Sequence, residues 1–217
     1  MKLIIQLVLW VVIIFLGYLV FNSVYGPVEF NEAKEARYTK VIEKLKDIRN
    51  AEQAHYQVTG KYTGSFDSLV RFIDTAEYTL TQRRDSVVLD EEYKRIYKID
   101  QYKTIRVIDT IGKASVKDSL FGNDDRYKNL GIVKIEGKDV QIDLNAGTIT
   151  KNEAKFPVFE AKVAKEKVLY DQPKDMIMQE KQVVSVDGVN GEFISVGSMT
   201  EVTDKGNWPT TYDAATE

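Results

Sequence analysis

The strongest pattern in the sequence is an apolar run close to its start. Residues 3–21 contain no charged side chain, and Gln6 is the one strongly polar residue among them. A helix over these 19 residues is about 28 Å long, which matches the hydrocarbon core of a bilayer, about 30 Å thick. The pattern predicts a helix that spans a lipid bilayer.

A cleaved signal peptide is the alternative interpretation of this run. It is disfavoured because Lys2 is the one charged side chain ahead of the run, because the run exceeds the usual length of about 7–15 residues, and because no A-x-A-like site follows. We therefore expect a retained anchor at residues 1–26, with Pro27 interrupting or redirecting the helix. Glu29 and Glu32 are the first charges after the run, which favours a cytoplasmic N-terminus, a single pass through the inner (cytoplasmic) membrane and a periplasmic C-terminal domain.

Between residues 29 and 58 the pattern changes to that of a charged amphipathic helix. Apolar side chains recur at alternating spacings of three and four and form one narrow stripe, made of Tyr38, Val41, Leu45 and Ile48. A stalk that packs on its own domain fits this stripe, and so does a helix that packs against a partner or another copy of itself. We assign residues 27–75 to the stalk helix and a following turn, and take the stripe as the candidate partner-binding surface.

Beyond residue 75 the apolar period becomes two, which is typical of strands. Short strands are predicted at residues 78–81, 86–90, 104–109, 131–135, 140–144, 148–150 and 156–163. Residues 80–98 are alternatively partly helical, because the acidic residues from Asp90 to Glu92 break the alternation. Hairpins are expected with Gly147 in the left-handed position and within residues 182–196, around residues 187–191.

These patterns together predict an α+β fold. An N-terminal transmembrane helix continues into the amphipathic stalk helix, and a mostly antiparallel, β-rich periplasmic head follows at residues 76–205. Residues 206–217 have little periodicity and are expected to form a flexible tail, from which Trp208 and Tyr212 could dock on the head or on a partner.

The end of the stalk carries a family resemblance. Gly60 suits the position just after a helix, where φ is positive, and Tyr56 and Tyr62 can pack across that turn. Residues 48–62 resemble the end of the long N-terminal helix in type IV pilins and type II secretion pseudopilins, where a helix bearing Arg, Ala and Tyr runs into a Gly-x-Tyr turn. Residues 65–70 look like the short helix or turn that follows there. The resemblance implies a component of a secretion or pilus-like machine.

The N-terminus departs from that family's pattern. Pilins are cut at a Gly just before the apolar segment and carry a Glu near its start, whereas here the run begins at Leu3 without such a Gly. Gln6 is the nearest polar residue, and filament formation is therefore left open. Residues 114–121 and 156–160 are similar to segments of uncharacterised envelope proteins of Bacteroidota, which implies a periplasmic head.

Composition excludes several classes of site. The chain has 217 residues with no cysteine and one histidine, His55, so a disulfide framework, a thiolate metal site and a multi-histidine centre are ruled out. Its 30 basic and 33 acidic side chains are interspersed, which disfavours nucleic-acid binding. The acidic loop at residues 122–127 lacks the EF-hand frame and is interpreted as a solvated turn. No catalytic constellation emerges, so we expect no enzymatic activity, cofactor or metal.

Two functional hypotheses remain. The preferred one is a non-enzymatic single-pass membrane protein that acts as an assembly or structural component of a cell-envelope complex and binds other membrane or periplasmic proteins, with self-association left open. The alternative is a small accessory subunit of a membrane enzyme or transporter, held through its transmembrane helix. In that case Gln6 and Gly17 face the partner, because a buried amide in lipid seeks a hydrogen bond and a glycine allows close approach.

Overall fold

The first element of the chain is one long helix. The computed structural model describes residues 2–213, except for the side chain of Asn22. This helix, α1 (Lys2–Thr59), runs through Pro27 without interruption. A proline inside a free helix costs about 3 kcal/mol, but here the helix passes directly into a segment that is packed against the head, with Phe30 already buried. Of the two outcomes expected at Pro27, interruption or redirection of the helix, interruption is wrong, because packing of the residues that follow keeps the helix continuous.

The remaining elements are short helices and antiparallel strands. The helices are α2 (Phe66–Thr75), α3 (Glu91–Tyr97), α4 (Val116–Leu120), α5 (Lys165–Val168) and α6 (Lys174–Lys181). The strands are β1 (Glu77–Leu89), β2 (Tyr102–Ser115), β3 (Ile132–Ile135), β4 (Lys138–Gln141), β5 (Asp143–Lys151), β6 (Ala154–Ala164) and β7 (Phe193–Gly197). Within the described chain they form three antiparallel sheets, ordered β1-β2, β3-β4 and β5-β6-β7. The prediction of an α+β fold with antiparallel sheets is confirmed.

The second half of α1 lies at the centre of the hydrophobic core. Its buried residues extend from Phe30 to Ala54 and pack with residues of α2, β3, β6 and β7. Leu69 and Ile73 of α2 are fully buried in the same cluster. The segments predicted as a separate stalk and head therefore share one core.

The end of α1 follows the local sequence. Gly60 has φ +76°, and its N–H donates to the carbonyl oxygen of Tyr56 at 2.8 Å. The rings of Tyr56 and Tyr62 stack across the turn with their centroids 5.0 Å apart. The predicted glycine turn with two packed tyrosines is confirmed.

The hairpin predicted at Gly147 is wrong. Gly147 lies within β5 opposite Val158, and the turn to β6 comes later, at Asn152 and Glu153, whose φ angles are +51° and +65°. A Cβ at position 147 would lie 2.9 Å from Cε of Met199. Gly147 therefore makes room for a side chain that packs across the strand, and the left-handed turn is made by two other residues.

The hairpin predicted within residues 182–196 is also wrong in part. The strand β7 is present, but it pairs with β6, and residues 183–192 form a loop before it.

The predicted flexible tail is wrong for residues 206–213. Gly206 bridges to Val196, and Trp208 is 9% exposed. Lys46 Nζ donates to the carbonyl oxygen of Tyr212 at 2.7 Å, so contacts with α1 and β7 hold this segment. Residues 214–217 lie outside the described chain.

Truncating Leu45 tests the central position of α1. Leu45 is fully buried, so we expect Leu45→Ala to lower the free energy of unfolding by about 2–5 kcal/mol. Urea unfolding in detergent can be followed by Trp208 fluorescence after Trp10, the other tryptophan, is replaced by Phe. Leu80→Ala, at an exposed position, is the control and should cost less than about 1 kcal/mol. Equal losses in the two variants would contradict this core.

Candidate functional site

The first half of α1 projects from the head with its side chains exposed. Every described side chain of residues 2–25 is exposed, and this is the one described helix long and apolar enough to cross a membrane. Gln6 and Gly17 are 11 residues apart, about three helical turns, so both lie on the same face of α1. Nothing lies within 4 Å of the point where a Cβ of Gly17 would be. The two predicted residues of the transmembrane interface thus form one open face.

The predicted partner-binding stripe lies inside the head. Tyr38 is 1% exposed, and Val41, Leu45 and Ile48 are completely buried. Of the two interpretations of the stripe, the stalk that packs on its own domain describes the structure. A partner could reach these side chains only by displacing the head, so the stripe is not a free binding surface. The sequence could not separate the two cases, because an apolar stripe has the same pattern whichever surface covers it.

Polar contacts at the Tyr38 end of this stripe fix the head to α1. The Glu180 cluster consists of Lys34 and Tyr38 of α1, Lys165 of α5 and Glu180 of α6. The carboxylate of Glu180 accepts hydrogen bonds from Lys34 Nζ at 3.1 Å, Tyr38 OH at 3.3 Å and Lys165 Nζ at 3.2 Å. Burial raises the pKa of Tyr38, so its hydroxyl remains a donor.

Lys165 is the most deeply buried charge of the Glu180 cluster. Its side chain has no exposed area, and burial lowers the pKa of its ammonium group while Glu180 opposes that shift. Nζ also donates to the carbonyl oxygens of Glu180 and Val189, each at 2.7 Å. Three acceptors therefore satisfy its three N–H donors, as a buried lysine requires. Because all three N–H donors of Lys165 are used, the Glu180 cluster has the properties of a structural ion-pair network rather than of a catalytic site.

A second ion pair fastens α1 to the segment after α5. Arg37 is 5% exposed and binds Asp171 with both terminal nitrogens, Nη2 lying 2.8 Å from Oδ2. Its Nη1 also donates to the carbonyl oxygen of Val168 at 3.2 Å. The Arg37 guanidinium lowers the pKa of Asp171 to about 2. Bidentate geometry adds orientation to attraction, so this pair restrains rotation of the head about α1.

Glu52 is a buried carboxyl group with one unused oxygen. It lies near the end of α1, is fully buried, and accepts the N–H of Thr63 through Oε2 at 3.0 Å. Within the described chain Oε1 has no hydrogen-bond partner. Burial raises the pKa of Glu52 to about 7, against the smaller opposing effect of the Thr63 hydrogen bond. Burial therefore favours the protonated form of Glu52 well above the pH at which an exposed carboxyl group ionises.

A long hairpin of β1 and β2 extends from the head between α2 and α4. The strands pair from Glu77 opposite Ser115 to Leu89 opposite Tyr102, with one irregularity beside Leu80. The 13 residues of β1 are about 43 Å long at about 3.3 Å per residue. β1 packs mainly against β2, and β2 contacts α4 at its base. Helix α3 lies at the tip, which confirms the alternative that residues 80–98 are partly helical.

This hairpin exposes apolar side chains on both faces and at its tip. The exposed residues are Leu80, Val87, Ile96, Tyr97, Ile99, Tyr102, Ile105, Ile108 and Ile111. Within the described chain the outer edges of both strands are unpaired. Cross-strand ion pairs such as Arg84–Asp109 at 2.8 Å are exposed and contribute little. Since an isolated two-stranded sheet is marginally stable in water, the hairpin is the part of the head that most lacks a covering partner.

Sequence reasoning did not single out this hairpin as a site. The available signal was the placement of apolar residues at consecutive positions, as in Val87, Val88 and Leu89, which puts them on both faces of a strand. Such a pattern is ordinarily that of a strand covered on both sides. In this structure Val87 is exposed, whereas Val88 and Leu89 are only half-buried.

The remaining candidates have local structural roles. Asp124 accepts the backbone N–H of Arg126 at 2.9 Å, and Asp125 pairs with Lys128 at 2.9 Å. Arg126 also pairs with Asp47 of α1 at 3.1 Å, so ion pairs within the acidic loop and to α1 hold it in place. His55 Nδ1 lies 2.6 Å from the carbonyl oxygen of Lys61. No group of three or more His, Asp or Glu residues suited to a metal ion occurs in residues 2–213.

No protein-family model, curated protein or solved structure matches this chain. The resemblance of residues 48–62 to pilins therefore stays a prediction. What the structure shows is the coarser arrangement, a long apolar helix followed by a head with antiparallel sheets. The two most open apolar surfaces of the described chain are the first half of α1 and the hairpin.

Replacing Glu52 tests whether burial raises the pKa of its carboxyl group. The folded state raises the pKa from 4.5 to about 7, so it binds the proton more tightly than the unfolded state does. Stability from this group is thus complete below pH 4.5 and is lost as pH rises through about 7. The loss relative to Glu52→Gln should total about 3 kcal/mol across that window.

The measurement is urea unfolding of both proteins at a series of pH values. Glu43→Gln, at an exposed position of the same helix, is the control and should retain the wild-type profile. Parallel profiles for wild type and Glu52→Gln would show that folding does not shift the pKa of this carboxyl group, and would contradict the prediction.

Proposed function

We propose that this protein is a non-enzymatic, single-pass membrane protein that serves as an assembly or structural component of a cell-envelope complex. The observation that carries the proposal is the change of environment along α1. Its first half exposes an unbroken apolar surface, whereas its second half is the centre of the head. Soluble proteins rarely expose apolar patches larger than a few hundred Å². A bilayer is the covering whose thickness matches this surface.

In this proposal α1 determines the position of the head outside the membrane. Because the helix is continuous and Arg37 and the Glu180 cluster hold the head to it, the head cannot swivel as it would on a flexible linker. The proposed topology has the N-terminus in the cytoplasm and the head in the periplasm. It is supported by Lys2 before the span and by Glu29 and Glu32 after it.

The hairpin replaces the buried stripe as the proposed partner-binding element. Its exposed apolar side chains and open strand edges suit another membrane or periplasmic protein that covers a face or adds a strand. The proposed setting is a secretion or pilus-like machine, supported by the sequence resemblance of residues 48–62 to pilins and pseudopilins. Self-association through the hairpin belongs to the same proposal, since open edges can also pair with a second copy.

The accessory-subunit hypothesis is kept because of one feature of the span. Gln6 and Gly17 share a face of α1, and the space beside Gly17 is open. A neighbouring helix could approach closely at Gly17 and accept a hydrogen bond from Gln6. In this second proposal the span, and not the hairpin, determines which complex the protein joins.

Charge placed on the hairpin tests the preferred proposal. Val87 and Ile108 lie on the same face of the hairpin and are 67% and 58% exposed. The double variant Val87→Asp, Ile108→Asp should abolish co-purification of partner proteins from native membranes extracted in mild detergent. It should leave the urea unfolding of the head unchanged within about 1 kcal/mol. Val202→Asp, an exposed valine elsewhere on the head, is the matched control and should retain the partners.

Substitution in the span separates the two proposals. Gln6→Leu, Gly17→Leu leaves the span apolar but removes the amide and the open space. The accessory-subunit proposal requires this variant to lose its partners while the charged hairpin variant keeps them. The opposite result supports the hairpin. If both variants retain the partners, neither surface holds the complex together.

A further inference from the structure

The charge-free part of α1 is longer than the apolar run. The run ends at residue 21, but the next charged residue is Glu29. The headgroup layer on each side of a bilayer is about 5–7 Å thick, which is about five residues of helix. Because α1 is unbroken, residue number measures height along it. Residues 22–26 then correspond to the headgroup layer next to the head.

Helix α6 of the head begins at the height of this layer. A Cβ on Gly26 would lie 3.6 Å from Cε of Met176, which belongs to the first turn of α6. One turn later in α6, the carboxylate of Glu180 accepts hydrogen bonds from Lys34 and Tyr38, which lie farther along α1. Both helices therefore run away from the span as residue number rises, and the start of α6 is its membrane-facing end.

Lys174 is the first residue of α6, and its side chain is exposed. It precedes Met176 by two residues, so its Cα lies about 3 Å farther toward the membrane-facing end of the helix. Side chains of an α-helix lean toward the N-terminal end of that helix, which is here the membrane side. Within residues 2–213 the Lys174 ammonium group forms no ion pair or hydrogen bond. A free cation is thus directed toward the proposed headgroup layer.

We propose that the start of α6 rests on the bilayer surface, where the Lys174 ammonium group binds the phosphate of an anionic lipid. The inference depends on the proposed membrane anchor and adds a second point of contact to it. Lysine suits this position, because its long apolar stem can lie along the protein while the ammonium group extends to the headgroups. A single spanning helix can tilt in the bilayer. Contact through both α1 and α6 restrains that tilt, and therefore the direction in which the hairpin points.

Labels at graded heights can test this contact, because the chain contains no cysteine. Full-length Lys174→Cys, Met178→Cys and Glu43→Cys are labelled with bimane and reconstituted in phosphatidylcholine vesicles that contain lipids with a nitroxide on the headgroup. Met178 is 62% exposed and lies one turn beyond Lys174 on the same face of α6. Glu43 is exposed on α1, about 26 Å beyond Gly26.

Quenching should fall with distance from the headgroups. The label at position 174 should lose most of its fluorescence relative to vesicles without nitroxide, the label at position 178 should lose less, and the label at position 43 should keep its fluorescence. Quenching at position 178 that equals or exceeds quenching at position 174 would show that the start of α6 does not face the bilayer. That result would overturn the proposal.

The role of the ammonium group is tested with the label at Met178→Cys, which leaves Lys174 in place. A small fraction of nitroxide-bearing phosphatidylglycerol should quench this label more than the same fraction of nitroxide-bearing phosphatidylcholine, because the cation enriches anionic lipid beside it. Adding Lys174→Gln should remove the difference. Lys205→Gln is the matched control and should retain it, since this exposed lysine follows Asp204, which Gln53 near the far end of α1 contacts at 2.6 Å. A difference that persists in Lys174→Gln would overturn the phosphate contact.

A further label distinguishes failure of this inference from failure of the anchor. Ile13→Cys lies in the middle of the apolar run and should be quenched by a nitroxide placed deep in the acyl chain. If Ile13→Cys is quenched while Lys174→Cys behaves like Glu43→Cys, the anchor stands and the contact of α6 with lipid is wrong. If Ile13→Cys is not quenched, the proposed span is wrong, and the α6 contact fails with it.

Discussion

Burial of the second half of α1 is the interaction on which the rest of the head depends. The sheets of the described chain have two or three strands each, and such small sheets are marginally stable unless an apolar face is covered. The helix supplies that cover, because its buried residues pack with α2, β3, β6 and β7 at once. Separate hairpins, which have no core of their own, thus become one folded unit around a single helix.

The first half of the same helix is exposed and its second half is buried in the head. The polar contacts of Lys34 and Arg37 lie where the buried half begins. Lys34 and Arg37 lie within two turns of Phe30, and each is paired with a carboxylate from the segment between α5 and the end of α6. Buried charges weaken a fold when they are unpaired, so these contacts favour one orientation of the head over others. A fixed orientation suits a protein that presents a surface at a defined height above a membrane.

The hairpin of β1 and β2 is the exception to this packing. Within the described chain its two strands pair only with each other, and its exposed apolar residues lie on both faces. A chain that needs only its own stability has little reason to keep such an element. In the proposed function the hairpin and the apolar half of α1 are complementary surfaces, one for other proteins and one for lipid.

Features that depend on neighbouring residues were predictable from the sequence. The apolar run, the turn at Gly60 with its two tyrosines, and the period-two strands all follow from local pattern and backbone preference. What surrounds a pattern was not predictable in this way. The head covers the stripe that contains Leu45. Met199 packs against position 147, and the turn is made instead by Asn152 and Glu153. Contacts with distant residues hold the segment of Trp208 against the head. An apolar residue or a glycine limits which surroundings its position can have. The residues that form those surroundings lie far along the chain, and they come together only when the tertiary structure forms.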